Sequence, residues 1–302
     1  MIKVNQMLDT MNIDDMKKES LLRLSKKKHI KDFFMKNHLS SSMMNDYWVE
    51  LLDFDQDYEI CLHCQSLSSC PKENKGMRKQ LGYYDEDIIV ELESCLYGKD
   101  LENQRLLLER YVVSNIPDQL KLTSLKDSKL LHKQTLTPNE KLALAHIRKF
   151  EKNPNGLGLF LHGPMGTGKT MLLAGLMNSL AKSGKDIGFI HFPTYLIDLK
   201  SSFSSGNTDN PIERVLNVDY LLLDEIGEEN VTAWSRDEIL LTILSYRLLN
   251  HLPTFIISMY NYKDLKKVYT IKKGDEMRAN TLVSKIQSLC VEIMLDGEKI
   301  QS

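Results

Sequence analysis

From about Thr137 onward the chain alternates short apolar runs with longer stretches in which apolar residues recur at helical spacing. The runs Leu157 to Leu161, Ile187 to Phe192, Tyr220 to Leu223 and Thr254 to Ser258 are too short for helices. They are also continuous, as strands covered on both faces must be. Between the first two, the stretch from Lys169 places Leu173, Leu176, Met177 and Leu180 on one helical face, and Gly184 stands where that helix should stop. Upstream, Thr137-Pro138-Asn139-Glu140 sets a cap residue before a proline and an acid three residues after the cap. That arrangement predicts a helix to about Lys152, ended by Asn153-Pro154-Asn155-Gly156. Strands alternating with helices predict an α/β domain over 137–302, a largely parallel sheet flanked by helices.

The first part of the chain follows a different pattern. Nine Lys or Arg fall in the first forty residues, and Met16 to Met35 has loosely helical apolar spacing, which reads most plainly as a solvated helical face. A second helix is expected over Asp85 to Tyr97. From Val112 to Leu136 the pattern is irregular, with Pro117 and the polar residues Thr123, Ser124, Lys126, Asp127 and Ser128, a composition that connects domains. The expected organisation is therefore a small, mainly helical domain over 1–111, a linker over 112–136 and the α/β domain over 137–302. No internal repeat or low-complexity tract is visible.

Composition narrows the possibilities. With 302 residues, 42% hydrophobic and 26% charged, the chain has the make-up of a folded two-domain protein. A formal charge of -2 provides no global basic field, so any nucleic-acid contact must come from local patches. Met1 to Asp15 lacks a cationic segment followed by an apolar one, and runs such as Met171 to Met177 fall well short of the roughly 20 residues that span a bilayer, so a cytoplasmic protein without membrane contact is expected. Four of the five cysteines lie between Cys61 and Cys95, which points to a local site in a reducing compartment rather than to a disulfide scaffold.

The most specific chemistry lies in Gly163-Pro164-Met165-Gly166-Thr167-Gly168-Lys169-Thr170. A phosphate chain needs backbone N–H groups turned into one concavity, and glycines at 163, 166 and 168 permit that turn. Lys169 is placed to reach the terminal phosphates, the Thr170 hydroxyl to bind Mg²⁺, and the helix N-terminus to favour the anion. ATP and Mg²⁺ are the expected ligands. A partner acid should end another buried strand, and Val218-Asp219-Tyr220-Leu221-Leu222-Leu223-Asp224-Glu225 meets that requirement. Asp224 would hold Mg²⁺, and Glu225 would polarise the attacking water.

Cys61-Leu62-His63-Cys64, then Cys70 and Cys95, matches zinc-ligand spacing. Cys61, Cys64, Cys70 and Cys95 are the expected Zn²⁺ ligands, with His63 a substitute for either of the last two; free thiols and a redox Cys-x-x-Cys are the alternatives. Metal binding could supply much of the folding free energy of so short a segment. Cys290, in an apolar terminal run, reads as core.

Together, the cysteine module, HGPMGTGKT over 162–170, YLLLDEIGEE over 220–229, AWSRDEIL over 233–240 and Ser245-Tyr246-Arg247 resemble the DnaI-type bacterial helicase loaders over nearly the whole chain. DnaC-type loaders and transposition-helper ATPases share only the C-terminal half. The resemblance implies an AAA+ P-loop ATPase domain preceded by a zinc-binding domain that grips the replicative hexameric helicase of DnaB type. It also implies single-stranded DNA and other primosome proteins as partners, self-association, and a weak ATPase stimulated by DNA or partner. ATP would order the assembly that places the helicase on DNA. Tyr260, Tyr262, Lys263, Lys266, Lys267 and Tyr269 form an interleaved basic and aromatic set suited to a single strand, or else an ordinary solvated helix.

Three departures from that family stand out. Ser258-Met259-Tyr260-Asn261 puts methionine where the family has a phosphate-sensing asparagine. Arg278, Thr281 and Lys285 stand in place of an arginine-rich helix, with Arg278 able to serve by a shift of register. Arg78 occupies the place of an expected histidine. Two other readings are a transposition helper binding duplex DNA and a non-hydrolysing, nucleotide-gated adaptor.

Overall fold

The computed structural model describes residues 13–204 and 211–297. The chain divides into two compact units, Met1–Asn103 and Gln104–Ser302.

In the first unit, helices α1 (Ile13–Leu24), α2 (Lys28–Lys36), α3 (Ser41–Asp46) and α4 (Trp48–Leu62) precede an antiparallel hairpin of β1 (Met77–Tyr84) and β2 (Asp87–Ser94). Leu24, Ile30, Phe34, Leu51, Phe54, Leu81 and Ile88 form its core. The helix expected over Asp85 to Tyr97 is instead the turn and second strand of this hairpin, and helix α5 (Leu96–Glu109) begins only afterwards. The β-branched run Ile88-Ile89-Val90 favours the strand. Asp85 and Glu86 both adopt left-handed backbone, with φ of 48° and 70°, which is the twist a two-residue hairpin turn needs.

In the second unit, six strands run in parallel: β3 (Val113–Ser114), β4 (Gly158–His162), β5 (Ile187–His191), β6 (Tyr220–Asp224), β7 (Thr254–Ser258) and β8 (Cys290–Met294), in the order β3-β5-β6-β7-β4-β8. All four expected strands are present. Successive residues feed opposite faces. Leu159, Leu161 and Leu222 join one core cluster with α7 (Pro138–Lys152) and α8 (Lys169–Lys182), while Phe160, Leu221 and Leu223 join another on the opposite side. This two-sided burial is why the runs read as continuous. The Thr137 side chain accepts the Glu140 N–H, and Glu140 accepts the Thr137 N–H, completing the capping box that starts α7.

Residues 112–136, expected to connect domains, pack instead within the second unit. They supply edge strand β3, the short helix α6 (Asp118–Lys121) and two 3₁₀ turns, Leu125–Asp127 and Lys129–His132. A Cβ on Gly175 of α8 would come within 2.7 Å of the Leu125 backbone, so only glycine allows this approach. The polar run was a misleading signal. Ser124 and Asp127 spend their side chains on a capping box, which is local structure rather than flexibility.

Candidate functional site

Strand β4 delivers the chain into the loop 163–168, and helix α8 leaves from it. Gly163, Gly166 and Gly168 have φ of 137°, 84° and 90°, conformations that side chains with a Cβ rarely adopt. Lys169 is 7% exposed, and its ammonium donates to the carbonyls of Gly163 and Pro164, each at 2.8 Å. Burial lowers its pKa, with opposing pulls from Asp224, Glu228 and Glu225. The Thr167 hydroxyl donates to Pro164 O at 3.1 Å, bracing the loop from within, while Met165 lies exposed at its crest.

Two strands away in the sheet, β6 ends at Asp224. The Thr170 hydroxyl donates to Asp224 Oδ2 at 3.0 Å, so the two expected Mg²⁺ residues are already side by side. Burial raises the Asp224 pKa; the Thr170 hydrogen bond pulls it down and the Glu225 charge pushes it up. Glu225 follows with a left-handed φ of 61°. Its carboxylate meets His191 Nε2 at 2.7 Å, and His191 Nδ1 lies 2.7 Å from the Thr194 hydroxyl. His191 ends β5, in register with Asp224 on β6.

Lys169, Thr170, Asp224 and Glu225 line one cavity of about 440 Å³, together with Met165, Gly166, Gly168, Met171, Ile257, Met259, Glu228 and residues 127–129, and His191 adjoins it through Glu225. Its size suits a nucleotide. The residues are also suited to hold ATP and Mg²⁺: loop glycines for the phosphates, Thr170 and Asp224 for the cation, and Glu225 for a water.

His191, Glu228 and the wall Asp127–Lys129 were not anticipated from the sequence. Polar residues at the C-terminal ends of parallel strands are the signal that could have found His191.

Several expected residues lie elsewhere or act differently. Met259 does line the cavity, while Asn261 accepts the Asp264 N–H at 2.9 Å as the cap of the helix Tyr262–Val268, so it does not replace the missing asparagine. Thr281 and Lys285 line a separate shallow groove on the helix Glu276–Leu289, and Arg278 donates to Asp237 at 2.6 Å. Two aromatics of the basic and aromatic set are engaged within the fold. Tyr262 stacks on Phe160 with centroids 4.6 Å apart, and Tyr269 is fully buried, donating to Glu229 at 2.8 Å. Arg236 and Arg247, from the stretches that carried the family resemblance, are buried scaffold residues. Arg236 binds Asp237, Asp275 and Tyr269 O.

The zinc expectation is not met either. Among the described residues, no three His, Cys, Asp or Glu side chains converge to hold a metal ion. Cys64 donates to Ser66 O at 3.4 Å, Cys95 accepts from the Gly98 N–H at 3.4 Å, Cys70 is buried and His63 is exposed. Tetrahedral zinc needs four such groups around one point, and this arrangement does not supply them.

A parallel sheet flanked by helices, with a glycine loop at one strand end and a Thr–Asp pair beside it, defines an AAA+-like P-loop nucleotide-binding protein. The chain belongs to the family described as IstB-like ATP binding protein, whose model matches residues 102–301. It is 26% identical to the replicative helicase loader DnaI of Bacillus subtilis (strain 168), over 91% of this chain and 90% of that one. With the replicative helicase loader DnaC of Escherichia coli (strain K12) it shares 27% identity, over 45% of this chain and 57% of the relative. The crystal structure of DnaI superposes with a TM-score of 0.52 at 26% identity, covering 61% of this chain and 93% of that one. Among the described residues, no helix is long and apolar enough to cross a membrane.

Proposed function

We propose that this chain is an ATP-dependent loader that binds the replicative hexameric DNA helicase and delivers it onto single-stranded DNA. The observation that carries this reading is the near end-to-end similarity to a helicase loader, over 91% of this chain. The reading draws further support from the 3.0 Å Thr170–Asp224 contact, which prepares a cation site beside the phosphate loop. The glycine loop and Lys169 would hold the phosphates of ATP, Thr170 and Asp224 would hold Mg²⁺, which would neutralise charge on those phosphates, and Glu225 would polarise the attacking water. Binding of ATP favours assembly only so far as the assembled state binds it better than the free chain.

The test mixes the full chain with the replicative helicase, ATP and circular single-stranded DNA. Helicase retained on the circle only when both chain and ATP are present is expected. Preference for duplex DNA and indifference to the helicase would instead identify a transposition helper. Lys169→Ala should weaken nucleotide binding roughly 30-fold, through loss of a charge-assisted contact worth about 2 kcal/mol. Glu225→Gln should retain binding and lower phosphate release by about 100-fold; unaltered release would remove Glu225 from the catalytic role, and a wild-type chain that releases no phosphate with DNA and helicase present would favour the non-hydrolysing adaptor.

A further inference from the structure

The first unit places a half-buried ammonium on the carboxylate that neighbours the first cysteine of the expected zinc set. Lys72 lies in the loop between α4 and β1, two residues beyond Cys70. Its Nζ is 2.7 Å from Asp57 Oδ1, with the two side chains only 12% and 11% exposed. The same ammonium donates to Met77 O at 3.0 Å, and the Cys61 thiol lies 3.9 Å from Asp57 Oδ2. Asp57 and Cys61 stand one turn apart on α4, and the second oxygen of Asp57 accepts the Lys79 N–H of β1 at 2.8 Å. A single cation thus joins a carboxylate of the helix to a carbonyl of the strand. The far end of the loop is fastened separately, by the Cys95 N–H donating to Gly76 O at 2.8 Å.

A zinc ion held by Cys61 would share this corner with the ammonium that Asp57 already holds, two like charges in a partly buried site. Removing the ammonium, conversely, would leave the Asp57 carboxylate without its cation.

We propose that Lys72 is the built-in cation that closes the N-terminal unit, in the role that the cysteine spacing assigns to zinc, so that this unit folds without a metal ion.

The test uses the full chain, expressed in zinc-supplemented medium. Zinc is measured by elemental analysis, and unfolding is followed by thiol labelling on heating, with and without a chelator. Four of the five cysteines lie in the first unit, so their labelling reports its opening. Fewer than about one zinc per ten chains is expected, with a labelling midpoint that the chelator does not move. Lys72→Met should lower that midpoint by roughly 10 °C, while Lys72→Arg, which keeps the charge, should recover part of the loss. One zinc per chain, released by Cys61→Ser, together with a midpoint lowered by chelator, would overturn the proposal. So would a Lys72→Met chain whose cysteines open at the wild-type temperature.

Discussion

Asp224 is 6% exposed, and burial holds its carboxyl above the ordinary range. A folded pKa above the unfolded one means that the native state binds the proton more tightly. This group's contribution to stability is therefore largest at acid pH and is lost as pH rises through the raised value. In its ionised form Asp224 destabilises the nucleotide-free fold, and a bound cation would offset that effect. Asp224→Asn should accordingly raise the unfolding temperature without nucleotide and abolish the added stabilisation from Mg²⁺ and ATP. Thermal unfolding of the two proteins with and without nucleotide checks both halves; a destabilised apo variant would contradict the argument. Residues of this kind were legible because phosphate chemistry requires them in short contiguous strings, Gly163 to Thr170 and Asp224-Glu225. His191 was not, because its contact with Glu225 exists only where β5 lies beside β6.

Arg247 shows how one buried side chain can tie elements together. It is fully buried, and its guanidinium donates to the carbonyls of Val215, Leu216, Val218, Asp219 and Pro253 and to the Thr254 hydroxyl, at 2.8 to 3.5 Å. The end of the short helix over Pro211–Asn217, the entry to β6 and the entry to β7 are thereby joined by a residue of the helix Leu241–Leu249. Burial pulls its pKa down to about 9, against an upward pull from the Asp219 charge. Arg247→Met keeps the volume but leaves several buried carbonyls without a donor, a loss of about 4 kcal/mol. For a unit of this size that corresponds to a fall of roughly 10 °C in the unfolding temperature by circular dichroism. A variant that melts within two or three degrees of wild type would show that water or neighbours satisfy those carbonyls. The stretch around Arg247 was legible as a family mark but not as scaffold, since nothing in Ser245-Tyr246-Arg247 tells a catalytic arginine from a buried one. The hairpin was misread for a comparable reason: its turn uses Asp85-Glu86 at positions where glycine or asparagine would have announced it.

At the scale of the molecule, the edge of the nucleotide-binding unit can be tested directly. The polar, proline-bearing stretch 112–136 has the composition of a connector, yet the compact unit begins at Gln104. Leu107, Tyr111 and Leu130 are buried in the core cluster of the sheet. Asn115 holds both the N–H and the carbonyl of His191, and the Asn178 side chain donates to Lys121 O at 2.6 Å. Asp127, Ser128 and Lys129 line the nucleotide cavity. A fragment over 137–302 therefore loses a sheet edge, one wall of the cavity and three buried apolar side chains, the last alone contributing on the order of 5 kcal/mol. A fragment over 104–302 keeps them all. The shorter fragment should be largely unfolded by circular dichroism and fail to bind a fluorescent ATP analogue, whereas the longer one should melt cooperatively and bind it with the affinity of the full chain. If the two fragments bound nucleotide equally well, 112–136 would be the connector its composition describes, and His191 would need another support to stay against Glu225.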